Sequence, residues 1–231
     1  MNTYPQIKPI ADIGLLIEFG QTIDVSIHAQ ILAMDQAMQD APILGVIEMI
    51  PSYVSLYVGY DPLIIIYEDL VLNLKTLILE TQKNQIKIQR EEKHWCIPVC
   101  YETKFSPDLE ELADKLDLST DAIITSHSSA IYTVYMYGFA PGYAYLGGVP
   151  SKIQIPRKSI PIMGVRPQSV MIAAQQSLIT TVTMPSGWWV IGRSGINPLN
   201  KSLEQPFMFG VGDTIKFEPI KECDFVRFEQ G

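Results

Sequence analysis

The densest concentration of chemically useful residues is the run YMYGFAPGYAYLGGVP, Tyr135 to Pro150, where four glycines and two prolines sit among four tyrosines and a phenylalanine. Glycine permits positive φ and close backbone approach, and aromatic side chains supply flat walls and hydroxyl donors. A loop of this composition, carrying Gly138, Phe139, Pro141, Gly142, Tyr143, Leu146, Gly147 and Gly148, is predicted to line a ligand. A structural reading stands beside it, in which the tyrosines of a Gly-Pro turn fill one end of a barrel.

Other chemistries lose their best support. The chain has no GxxxxGK(S/T) loop, no GxGxxG after a strand, no HExxH and no GxSxG. Cys96, Cys100 and Cys223 form an odd set without a secretion signal, so reduced core thiols are expected. Four positions apart on one strand, Cys96 and Cys100 would lie about 13 Å apart, too far to bond each other. Zinc on CIPVC with His94 lacks ligand-pair spacing and a second pair, and no metal site is expected. The 25 acidic residues outnumber the 17 basic ones, giving a net charge of -8 that disfavours nucleic acid and anionic lipid as partners. No apolar run approaches the roughly 20 residues that cross a bilayer. A cytoplasmic location is the expectation.

The elements that must position the aromatic run fall into two groups. Ile7 to Ile10 and Gly14 to Phe19 read as strands, followed by a helix capped by Asp24 with Ile27, Ile31, Met34 and Met38 on one face and ended by Pro42. Val46 to Ile50 and Tyr53 to Tyr60 form a hairpin around Pro51-Ser52, and Leu70, Leu74, Leu77 and Ile78 mark a second helix. Residues 1–82 thus predict a small two-layer α+β domain. The polar stretch 83–93 reads as a linker.

A second domain, 94–231, begins with a strand at His94 to Tyr101. A helix opened by Ser106-Pro107 places Leu109, Leu112, Ala113 and Leu116 inward, and another covers Asp121 to Ser128. Short β-prone runs follow at Tyr132 to Tyr137, Val170 to Ala173, Ile179 to Thr183, Trp188 to Ile191, Thr214 to Phe217 and Asp224 to Phe228. Such runs, broken by Gly and Pro, favour a closed or nearly closed barrel over a parallel sheet. The fold class expected is α+β.

The segment Ser126 to Pro150, SHSSAIYTVYMYGFAPGYAYLGGVP, closely resembles the family of KipI and the 5-oxoprolinase B-subunit, also described as allophanate hydrolase subunit 1-like. GLLIEFG, YVSLYVGYDPL, FSPDLEELADKLDLS, IPRK, SVMIA, GWWVIGRS and VGDTIKFEPI follow the family in order, so the resemblance covers nearly the whole chain. It implies an N-terminal α+β domain and a C-terminal cyclophilin-like β-barrel. It also implies partners: a larger KipA-like protein (the 5-oxoprolinase C-subunit) and a LamB/YcsF-like protein (the A-subunit). Together these open 5-oxo-L-proline to L-glutamate with ATP, and with magnesium in the complex. Two alternatives come with the family. One is a non-catalytic regulator that inhibits a histidine kinase, or a diverged paralogue; the other is a carboxyltransferase subunit for urea- or allophanate-like substrates. No segment resembling AMKM is present, so biotin would have to arrive on another chain.

Opening a lactam by phosphorylating its oxygen needs cations or N–H groups for phosphate and oxyanion. On this resemblance the candidates are Arg157 and Arg193 as anion clamps, the backbones of Gly142, Gly147 and Gly148 as donors, Tyr145 as a hydroxyl donor and His127 as a proton carrier or fixed hydrogen-bond donor. Arg166, Gly187 and Trp188 complete the expected site. For His127, Arg193 and Trp188 a purely structural role stays open. The segment 162–186 departs from the family. Two family arginines fall on Ile162 and Gly164, glycines fall on Gln168, Ala174, Gln175, Leu178 and Ser186, and a Tyr-Pro pair falls on Thr180 and Thr181. Arg166 is the residue placed to restore lost positive charge, and the missing glycines are expected to bar positive φ or close backbone approach.

Overall fold

The computed structural model describes residues 4–84 and 92–225, which fall into two compact units divided at Glu91 and Glu92. In the first, β1 (Gln6–Ile10), β2 (Gly14–Glu18), α1 (Val25–Asp40), β3 (Val46–Pro51), β4 (Ser55–Tyr60) and α2 (Tyr67–Asn84) follow one another. The strands form one antiparallel sheet in the order β1-β2-β4-β3. Leu15 and Ile17 on β2 and Leu56 and Val58 on β4 alternate onto one buried face, where Ile31, Met34 and Met38 of α1 and Leu70, Leu74 and Ile78 of α2 join them. The Asp24 carboxylate accepts the amides of Ser26 and Ile27 and so starts α1 where the sequence predicts. Helix α2 runs to Asn84, so the predicted linker begins inside a helix, and its positions 85–91 lie outside the described residues.

The second unit opens with β5 (His94–Cys100), α3 (Leu109–Leu116), α4 (Thr120–Ser129), β6 (Ile131–Tyr137) and β7 (Ala144–Gly147). It continues with β8 (Ile162–Val165), β9 (Ser169–Ala173), β10 (Gln176–Ile179), β11 (Met184–Ser186), β12 (Trp189–Ser194) and β13 (Thr214–Ile220). Seven of these strands close into a barrel in the order β10-β7-β6-β13-β5-β12-β9, with β10 returning to β9. The pair β5 and β13 is parallel and the other pairs are antiparallel. Ile97, Val134, Leu146, Ile172, Ile191 and Phe217 fill the interior, and Leu112 of α3 and Ile123 of α4 pack into the same cluster. β8 and β11 pair as a separate two-stranded sheet, and Trp188, Met171, Leu178 and Tyr143 form a smaller apolar cluster with Val165 and Met184 of that sheet.

Several expectations are corrected. α3 starts at Leu109, not at Ser106-Pro107. The Ser106 hydroxyl donates to the Tyr101 carbonyl instead, and Asp108 sits at the cap position with its carboxylate turned elsewhere. That carboxylate accepts from the Lys158 ammonium and, at 2.7 Å, from the Val190 amide. The strand expected at Ile179 to Thr183 lies earlier, at Gln176–Ile179, and the one expected at Trp188 extends through Arg193 to Ser194. Asp224 and Phe225 belong to a helical turn, 222–225, and the remainder of that expected strand lies outside the described residues. Only Cys100 is a core thiol; Cys96 and Cys223 are exposed.

The missing glycines also behave differently from expectation. Gln168 and Ala174 keep positive φ, 66° and 50°. Gln168 is held there by its amide bond to the Thr180 carbonyl and its own carbonyl's bond to the Ser194 amide. These bonds converge on one corner and impose a left-handed conformation on a residue with a Cβ.

Two outcomes follow for stability. Replacing Asp108 by Ala or Lys158 by Met leaves the other charge buried without its partner and should cost about 3–5 kcal/mol in urea unfolding. The double variant should cost clearly less than the sum, and strict additivity in that cycle would show the pair is uncoupled. Gln168→Gly should raise stability by about 0.5–1 kcal/mol, because relief of the left-handed strain outweighs the added freedom of the unfolded chain; a fall in the urea midpoint would refute this.

Candidate functional site

A cleft of about 710 Å³ opens between three stretches of chain: the loop before α3, the β8 strand with its C-terminal extension, and β12. Lys104, Phe105 and Pro107 come from the first, Ile162, Met163, Gly164, Val165, Arg166 and Ser169 from the second, and Val190 and Arg193 from the third. Ile162, Met163, Gly164, Val165 and Arg166 all border the cleft, because the positive φ of Gly164 breaks the in-and-out alternation of an extended strand. Gly164 has φ 68° and nothing within 4 Å of where a Cβ would stand, so this wall is open space. Arg193 enters from β12, whose register with β9 pairs it with Ser169. Its guanidinium lies 5.4 Å from the centre of the Phe225 ring. Two guanidiniums and an ammonium thus border the same cleft as the apolar Val190, Val165 and Phe105.

Of the residues expected at the site, Arg166 and Arg193 line this cleft. Arg157 does not. It is exposed and lies over the Trp188 ring at 5.5 Å, and Trp188 in turn meets Tyr145 edge-on at 5.9 Å. Burial raises the Tyr145 phenol, and the nearby Arg157 charge opposes that rise. The Gly187 carbonyl accepts from the Lys158 amide at 2.7 Å, which joins this cluster to the Asp108–Lys158 pair.

The aromatic run is a hairpin rather than a loop, comprising the end of β6, a turn and β7. Leu146 and Gly147 are on a barrel strand, and the Gly147 Cα would direct a Cβ to 2.4 Å from the Tyr135 ring, so glycine there makes room for packing. Gly148, at φ 111°, lets the chain pass the Ile131 carbonyl. The turn Gly138 to Tyr143 is pinned by the Thr181 hydroxyl donating to the Pro141 carbonyl at 2.6 Å, and Gly142 at φ 77° abuts Leu199 and Thr181. The Tyr137 hydroxyl donates to the Phe209 carbonyl, and the Tyr143 hydroxyl donates to Met184 Sδ. Burial pushes the Tyr143 phenol up to about 12. Packing at a barrel corner therefore accounts for most of this segment. Phe139 is the exception: it is 76% exposed at positive φ.

His127 occupies neither place. It is fully buried on α4 among barrel residues, stacked on Phe217 at 4.5 Å. Ser177 donates to the Met171 carbonyl, so its oxygen is left to accept from Nε2–H at 3.5 Å, and Nδ1 then accepts the Tyr101 hydroxyl at 2.7 Å. Burial holds the imidazole neutral, its pKa pushed down to about 3. A ring so enclosed and so weakly basic organises the barrel end and does not carry protons to a solvent-facing substrate.

The sequence reading missed Lys104, Phe105, Pro107, Met163, Val165, Ser169 and Val190 as lining residues. The first three and Val190 come from segments remote from Arg166 in the chain, and Ser169 reads only as the start of a strand. Nothing in local spacing marks them.

A closed seven-stranded barrel joined in one chain to a small α+β unit defines a barrel protein of the carboxyltransferase-domain kind. The chain belongs to the family "Carboxyltransferase domain, subdomain C and D", whose profile matches residues 5–209. It is 32% identical to the 5-oxoprolinase B-subunit of Bacillus subtilis, over all of this chain and 99% of that one. Among solved structures, TTHA0988 is similar at 30% identity with a TM-score of 0.77, over 90% of this chain; this chain spans only 40% of TTHA0988. The conserved uncharacterized protein PH0987 of Pyrococcus horikoshii is 36% identical with a TM-score of 0.56, over 95% of this chain and all of that one. No described helix is long and apolar enough to cross a membrane.

The His127 setting has a pH consequence. Its pKa in the folded chain lies below the ordinary value of 6.5, so the unfolded chain takes up the proton first. Its contribution to stability is complete above pH 6.5 and is lost as pH falls toward about 3. Urea unfolding across that window should show a shallower loss of stability in His127→Gln than in the unaltered chain. Equal slopes would mean the imidazole titrates in the folded state.

Proposed function

We propose that the chain is the B-subunit of an ATP-dependent 5-oxoprolinase complex, acting in the cytoplasm with a KipA-like C-subunit partner and a LamB/YcsF-like A-subunit partner. The observation that carries this is end-to-end similarity to the 5-oxoprolinase B-subunit of Bacillus subtilis. The cleft adds physical support. Converting 5-oxo-L-proline to L-glutamate requires attack on a resonance-stabilised amide carbonyl, and the charge that develops on its oxygen must be met by fixed cations.

ATP bound in the complex would supply the phosphoryl group that activates that oxygen. The donor set here fits its anionic portion: Arg166 and Arg193 present planar forks suited to phosphate or oxyanion oxygens. Among the described residues no three His, Cys, Asp or Glu side chains converge. Arg157, Tyr145 and Trp188 form a second polar-aromatic cluster available to substrate or to the partner.

One observation favours a second reading, a diverged paralogue or a KipI-type regulator. Ile162 and Gly164, where the family resemblance sets arginines, both face the cleft and bring no charge to it. Phosphate release with 5-oxoproline, measured on the three-protein complex reconstituted with this chain, separates the two. Activity that falls about 10²- to 10³-fold in kcat/KM with Arg193→Ala supports the enzyme reading. Absence of phosphate release by the unaltered complex favours the regulator, and full activity of the variant removes Arg193 from the site.

A further inference from the structure

The helical turn 222–225 lies outside the cleft but holds three of the residues that line it. The Phe225 ring, fully buried, packs on Phe105 at 4.6 Å and lies beneath the Arg193 guanidinium at 5.4 Å. The Glu222 amide donates to Glu102 Oε1 at 2.9 Å, which closes the turn onto the loop before α3. The Glu222 carboxylate then accepts from the Lys104 ammonium at 2.6 Å. These contacts differ in kind. Phe225 is locked by packing, whereas the Lys104–Glu222 pair keeps 69% and 40% of its side-chain surface in solvent. Such a pair contributes little to stability and exchanges partners readily.

Lys104 therefore sits on the cleft wall with a replaceable counter-ion. No acidic side chain is among the described residues that line the cleft, while Lys104, Arg166 and Arg193 all are. A single carboxylate ligand brings one negative charge to that trio of cations. A phosphoryl or pyrophosphoryl group brings two or more and enough oxygens to meet each of them.

We infer that Lys104 is a third anion-binding residue of this cleft, and that Glu222 is a placeholder carboxylate which Lys104 gives up when a polyanionic phosphoryl group enters. This rests on the reading of the cleft as a phosphate-handling site. Phe225 acts as a positioning residue, holding Arg193 and Phe105 in place while the ion pair on the same turn opens.

The test is calorimetric titration of the full chain with pyrophosphate as probe and glutarate as the dicarboxylate comparison. Lys104→Met should weaken pyrophosphate binding about tenfold, the loss of one charge-assisted contact. Glu222→Gln should tighten it severalfold, because the competing charge is gone while the backbone bond to Glu102 remains. A purely structural pair makes the opposite forecast, with Glu222→Gln leaving binding unchanged or weaker, and that result overturns the inference. So does glutarate binding as tightly as pyrophosphate, or no pyrophosphate saturation of the unaltered chain at millimolar concentration. Lys115→Met, exposed on α3 and paired with Glu111, should leave affinity unchanged; a matching tenfold loss there would reduce the Lys104 effect to general surface charge and also overturn it. If the Lys104 and Glu222 variants bind like the unaltered chain while the reconstituted complex still releases phosphate, the placeholder fails and the enzyme reading stands.

Discussion

The Asp108 carboxylate is the point on which the cleft and its surroundings depend. It accepts from the Lys158 ammonium and from the Val190 amide, while its own amide donates to the Val190 carbonyl at 3.1 Å. Those bonds tie together the loop that carries Lys104, Phe105 and Pro107, the strand that carries Val190 and Arg193, and the segment leading from Arg157 and Lys158 to β8. With both charged side chains about nine-tenths buried, each needs the other, since an isolated charge there would be strongly disfavoured. Lys158 also lies 4.8 Å from the centre of the Trp189 ring, whose Nε1–H donates to the Pro156 carbonyl. A helix that began at Ser106, as its Ser-Pro signal suggests, would turn Asp108 out of this position. The chain forgoes a side-chain cap on α3 and gains the cross-link that shapes the cleft.

Around that cross-link the polar groups are divided by burial. His127, Tyr101 and Ser177 are enclosed at the barrel end, where desolvation keeps the imidazole neutral and the phenol protonated, and their bonds satisfy one another. Arg166, Arg193 and Lys104 remain at an open wall, where charge can be retained and presented to a ligand. The hairpin β6–β7 belongs to the first kind. The Tyr137 and Tyr143 hydroxyls donate to a main-chain carbonyl and a thioether, so the aromatic density reflects packing at a tight corner, with Phe139 held outward by a left-handed backbone.

Local patterns carried much of the architecture. The apolar stripe of Ile27, Ile31, Met34 and Met38, the Asp24 cap and the alternation in Gly14 to Phe19 each depend on neighbours within a few positions, so they read directly as α1 and β2. The Gly- and Pro-broken β runs of the second unit announce a barrel for the same reason, and the long aromatic motif points to the family because it is so specific. Strand limits were less legible where register, not composition, decides them. β10 ends where the corner at Thr180 begins, and β7 hides inside a run whose glycines look like loop but make space for the Tyr135 ring.

By itself the sequence determined the two-unit α+β plan, the barrel class, the family and two of the guanidiniums in the cleft, because each is written in short-range periodicity or in one contiguous motif. Tertiary structure alone decided that Arg166 and Arg193 share a cleft with Lys104, that Arg157 lies instead over Trp188, and that His127 is sealed in the core. It also decided that Gln168 and Ala174 adopt a glycine's conformation, since their backbone bonds, to Thr180 and Ser194 and to Ile155, come from segments distant in the chain. Which charges face one cleft depends on the register of segments far apart in the chain, and that register is set by packing across the barrel rather than by any local pattern.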